Sequence, residues 1–77
     1  MEIKFKLASI ISDLFKIEIN DINENTGMDN VPDWDSLNTL RLVLEIENSF
    51  KISLDPQDIE NFQDFKSILK IIKQKKE

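Results

Sequence analysis

The sequence predicts an all-α fold: a four-helix bundle with a long first loop and a short third helix. Three observations carry this. Apolar residues step by three and four along three stretches, which is the period of an amphipathic helix and not the alternation of a strand. Cap-forming pairs, Asp35-Ser36 and Asp55-Pro56, open two of the expected elements. Asparagines, the only glycine and the first of two prolines crowd into residues 16–35, before the first of these pairs opens its helix.

The first helix is expected over about residues 2–15, with the stripe Ile3, Leu7, Ile10, Ile11, Leu14 and Phe15. Residues 16–35 lose that period. This is long for a loop, so it is expected to pack on itself, with Ile17, Ile19, Ile22, Met28 and Val31 tucked into the core. Gly27 is read as a turn residue with positive φ.

The second helix runs over about 36–50, capped by Asp35 or Ser36, with the stripe Leu37, Leu40, Val43/Leu44, Ile46/Glu47 and Phe50. Residues 51–54 are a connector. Asp55 and Pro56 open a short third helix to about Asn61, and Asp64 caps a last helix to about Lys75 with Phe65, Ile68, Leu69, Ile71 and Ile72 inward. The phenylalanines, Phe5 included, are read as core.

Composition narrows function. A chain of 77 residues, read as one domain over 1–77, buries only about 60% of its unfolded surface and leaves little room for an enclosed substrate pocket. Cys, His and Tyr are all absent, which removes thiolate and imidazole metal sites and the usual nucleophile–base pairs. The expectation is a protein that binds or carries, not an enzyme, with no metal site.

The net charge of −5 disfavours nucleic acid as a partner. Residues 17–64 hold twelve acids against two bases, while lysines gather near the C-terminus. Such an acidic middle attracts basic protein surfaces. No apolar run approaches the roughly 20 residues of a membrane span, and the start lacks a signal-peptide stretch. A cytoplasmic monomer without stable membrane insertion is expected. The lysine-rich tail is read as favouring the helix dipole and solubility rather than as a membrane-surface helix.

Of the six serines, only Ser36 stands where a loop feeds into the first turn of a strongly amphipathic helix. Free N–H groups and the positive end of the helix dipole favour a phosphate ester there. The competing reading makes Ser36 only an N-cap.

Asp35-Ser36-Leu37, followed by Asn38-Thr39-Leu40-Arg41-Leu42-Val43-Leu44-Glu45-Ile46-Glu47 and the exit Phe50-Lys51-Ile52, resembles the acyl carrier protein pattern. The likeness continues through Leu54, Asp55, Ile59 and Phe62 to the apolar last helix. It implies a four-helix carrier whose Ser36 bears 4′-phosphopantetheine, transferred from coenzyme A by a phosphopantetheinyl transferase using Mg²⁺. The arm's thiol would hold acyl or aminoacyl groups as thioesters for a ligase and for acyltransferase or synthase enzymes. By the same resemblance Asp35 meets the transferase and Leu37 docks into partner pockets. Arg41, Glu45 and Glu47 complete the expected partner face.

Departures from the fatty-acid members point to a specialised carrier. Asn38, Arg41 and Asn48 stand where acids are common, and Trp34 replaces a small residue. Trp34 is read as a half-buried anchor for the loop. Asp21, Asn23 and Asn25 begin like a calcium loop, but Thr26 and Pro32 occupy its glycine and glutamate positions. The rival function is a small acidic helical interaction module with Ser36 serving only as a cap.

Overall fold

The computed structural model describes residues 3–76. Four α-helices follow one another: α1 (Ile3–Phe15), α2 (Ser36–Phe50), α3 (Pro56–Glu60) and α4 (Phe65–Lys76). A single 3₁₀ turn, Ile19–Asp21, lies inside the first loop. The expected architecture and element order are therefore present. The expected start of the first helix at Glu2 lies outside the described residues.

Helix α1 is the hub and packs on both α2 and α4. It contributes Leu7, Ile11 and Phe15 to a core completed by Leu42, Val43, Ile46 and Phe50 of α2 and by Phe65, Ile68, Ile71 and Ile72 of α4. Ile68 is fully buried, and burial of such a side chain stabilises by about 1.5–3 kcal/mol.

The core face of α2 differs from the expected stripe. Thr39, Leu42, Val43, Ile46 and Phe50 point inward, while Leu37, Leu40 and Leu44 are 62%, 52% and 61% exposed. This helix is apolar around much of its girth, so steps of three and four fit two registers. Packing against α1 selects one of them. Phe5 is also outside, at 61% exposure, lining a shallow recess with Ala8, Ile19 and Ile22.

The first loop folds on itself through asparagine turns. Asn25 N–H donates to Asn23 Oδ1 at 2.8 Å, Gly27 N–H to Asn30 Oδ1 at 3.0 Å, and Asn30 Nδ2 to Asn25 O at 2.8 Å. Val31 is buried and Ile17, Ile19 and Ile22 are half-buried, but Met28 remains 44% exposed.

Gly27 has no positive φ. It is small because it bridges to Asp64: a Cβ here would meet Gln63 O and would lie 2.6 Å from Asp64 Cα. Flanking bonds complete the seam, from Met28 N–H to Gln63 O (2.9 Å) and from Phe65 N–H to Thr26 O (2.8 Å). Left-handed backbone falls instead on Lys16 and Lys51, which follow α1 and α2, both at φ 59°.

Long-range lysines close the other end of α2. Lys6 Nζ donates to Ser49 O at 2.7 Å and lies 5.1 Å from the centre of the Phe50 ring, while Lys76 Nζ donates to Phe50 O at 3.1 Å. Helix α3 carries a capping box. Asp58 N–H donates to Asp55 Oδ1 and Asp55 N–H to Asp58 Oδ2, with Pro56 as the first helical residue.

Candidate functional site

Ser36 is the first residue of α2, and Asp35 is its cap. The Asp35 backbone is extended (φ −112°, ψ −174°), and its Oδ1 accepts from Asn38 N–H at 2.9 Å. Two candidates for the cap are thus resolved into one, which overturns the reading of Ser36 as the N-cap. The Ser36 side chain is exposed, and no hydrogen bond among the described residues engages its hydroxyl.

The backbone around this hydroxyl is tied down by hydrogen bonds and packing. Thr39 N–H and Thr39 Oγ1 both donate to Asp35 O, at 2.8 and 2.7 Å. Asn38 Nδ2 donates to Asp33 O at 2.7 Å, so Asn38 ties the helix back to the loop. Trp34, two residues before Ser36, is only 3% exposed and stacks on Phe15 with centroids 4.8 Å apart and planes 5° from parallel. It is buried more deeply than the expected half-buried anchor.

A groove of about 390 Å³ opens beside Ser36. Met28, Leu40, Ile59 and Phe62 supply apolar walls from the loop, α2, α3 and the turn after α3. The exposed Met28 lies here. Sequence reasoning missed the groove because its walls come from four segments, and only the fold brings them together.

Helix α2 presents Leu37, Leu40 and Leu44 to solvent at steps of three and four, a contiguous apolar row starting next to Ser36. Arg41 and Glu45 are exposed, four residues apart. Glu47 is not grouped with them. It is half-buried, and its Oε2 accepts from Leu54 N–H at 2.8 Å, holding the connector to α3. Asp33 and Asp35, just before Ser36 in the chain, are exposed, as is Asp29 in the loop.

These features suit covalent attachment more than catalysis. Ser36 combines an uncommitted hydroxyl, the positive start of a helix of 15 residues and a neighbouring apolar groove. Among the described residues, no helix is long and apolar enough to cross a membrane.

Comparison with known proteins agrees with this geometry. A family model described as "Phosphopantetheine attachment site" matches residues 6–72. The chain is 31% identical over 72 residues to an acyl carrier protein of Lactobacillus johnsonii, covering 94% of this chain and 90% of that protein. It is 29% identical over 75 residues to an acyl carrier protein of Prochlorococcus marinus, covering 97% and 94%. It is also 28% identical over 74 residues to part of the non-reducing polyketide synthase AC of Didymella fabae. That match covers 96% of this chain but only 3% of the synthase's length.

Proposed function

This chain belongs to the acyl carrier protein family, matched by its phosphopantetheine attachment-site model across residues 6–72, and from that premise we propose that Ser36 is the hydroxyl that bears 4′-phosphopantetheine. The single observation that carries the assignment is that Asp35 performs the capping, which leaves the Ser36 oxygen at a helix start with no structural task.

The group, when joined, supplies a terminal thiol that holds acyl or aminoacyl cargo as a thioester. This chain's own residues set where it swings. The Trp34–Phe15 stack and the bonds to Asp35 O fix the base of the tether. The start of α2 stabilises the ester's negative charge. With no His in the chain, the base that takes the Ser36 proton comes from the transferase. The groove between Met28, Leu40, Ile59 and Phe62 gives apolar cargo a sheltered position close to the tether.

The protein acts as one carrier domain over 1–77, cytoplasmic and monomeric, a substrate of enzymes and not an enzyme itself. Its partners are a phosphopantetheinyl transferase, an acyl or aminoacyl ligase and acyltransferase or synthase enzymes. They meet the row Leu37, Leu40 and Leu44 with Asp35, Arg41 and Glu45 around it, while Glu47 supports that face through Leu54. Weak, fast, charge-guided contact suits a carrier that must leave after each transfer.

Arg41 favours a specialised role over a housekeeping fatty-acid one. It is exposed and puts a positive charge on the apolar row, where a basic partner pocket would be repelled.

The test is to incubate the protein with coenzyme A and a broad-specificity transferase and to weigh it. A mass gain of one phosphopantetheine, absent in Ser36→Ala, is expected. An unchanged wild-type mass leaves the acidic interaction module as the better reading.

A further inference from the structure

The lysines of α4 divide into two sets. Lys75 and Lys76 are engaged, with Asp58 and with Phe50 O. Lys66, Lys70 and Lys73 are exposed, and among the described residues none has a carboxylate within ion-pairing distance. They step by four and three, which places them in one row on the helix surface. Leu69, half-buried, and Gln74 lie between them in a shallow depression of about 290 Å³.

Two ordinary explanations cover this row only in part. Stabilisation of the helix dipole would put cations in the last turn, yet Lys66 is the second residue of α4, where a positive charge opposes the dipole. Solubility would favour more net charge, yet the protein is already at −5 and these cations bring it nearer to zero. Like charges at i,i+3 and i,i+4 also repel one another along the helix. Lys73 stands in the last turn and favours the dipole, so the charges left without an intrinsic role are those of Lys66 and Lys70.

We propose that the Lys66–Lys70–Lys73 face of α4 is a second docking surface, separate from α2, which takes an acidic segment of a partner protein. Carboxylates at matching helical spacing would pair with the three ammonium groups, and an apolar residue among them would rest over Leu69. An anionic membrane suits the face less well. The apolar side of α4 (Phe65, Ile68, Ile71 and Ile72) is committed to the core and leaves nothing to insert. The proposal does not depend on what Ser36 carries.

The test uses a synthetic amphipathic helical peptide with glutamates at i, i+4 and i+7 around one leucine, titrated into isotope-labelled protein at low salt. Amide shifts should centre on residues 66–74. The variant K66Q/K70Q/K73Q should weaken binding about tenfold, as expected for losing three exposed ion pairs. The control K4Q/K16Q/K51Q should stay within about twofold, since it lies outside the row. Transferase modification at Ser36 serves as a separate readout and should be unchanged in both variants. Equal weakening by both triple variants, or shifts scattered over every lysine, would overturn the proposal. So would row-dependent binding to phosphatidylserine vesicles without binding to the peptide.

Discussion

Lys75 Nζ lies 2.9 Å from Asp58 Oδ2, so the last turn of α4 is bonded to the short helix α3 that walls the groove beside Ser36. The hydrogen bond from Lys75 is the main reason the Asp58 carboxyl sits below its ordinary pKa, and its counterpart holds the Lys75 ammonium above its own. A lowered carboxylate pKa contributes stability above the ordinary carboxylate range, and that stability is lost as pH falls through the lowered folded value. The raised lysine contributes below its ordinary value and is lost as pH climbs through the raised one. Solvent screening keeps both effects small. Lys75→Met should therefore be slightly less stable than the wild type near neutrality, with the gap closing below about pH 4. Urea unfolding at a series of pH values measures this, and a gap that persists undiminished in acid contradicts it.

Capping and attachment fall on adjacent residues and can be separated. Asp35→Ala should lose about 1 kcal/mol of stability because Asn38 N–H loses its acceptor. Ser36→Ala should change stability by less than about 0.5 kcal/mol, as expected for an exposed side chain away from special features. Denaturant midpoints decide between them. A larger loss from Ser36→Ala would return the cap to the serine.

Gly27→Ala should destabilise by about 1–3 kcal/mol, because its Cβ would drive the Gln63–Asp64 backbone away. Hydrogen exchange supplies a local readout. The amides of Met28 and Phe65, which bond across this seam, should lose protection before those of α1.

Trp34 is the only tryptophan and reports its own burial. Its emission should be blue-shifted and poorly quenched by acrylamide in the folded state. Its indole N–H is buried without a hydrogen-bond partner among the described residues. Trp34→Phe keeps a ring on Phe15 and removes that orphan donor, so it should cost under about 1.5 kcal/mol. Trp34→Ala should cost about 3–5 kcal/mol.

Helices α1, α2 and α4 were legible from their apolar periodicity, and Asp35, Asp55 and Asp64 mark the starts of α2, α3 and α4. The inward face of α2 was not, since Leu37-x-x-Leu40 and Leu42-Val43-x-x-Ile46 satisfy the same period. Residue type could not separate Asp35 from Ser36, because both are good caps and only backbone geometry chooses. Gly27 was misread because a close approach by a segment distant in sequence leaves no local trace. The same holds for Lys6 and Lys76, whose targets lie 43 and 26 residues away. Ser36 could be put at the start of α2 from sequence alone, whereas Met28 and Ile59 came beside it only through the fold.

The seam between Gly27 and Asp64 limits how this molecule can be cut down. A fragment spanning Ser36 and α2 alone would keep the proposed attachment residue but lose the strut that seats its helix. As a graft for labelling other proteins, the useful minimum must reach past Phe65 and into α4. Truncations short of that should be modified slowly, however faithfully they copy the sequence around the serine.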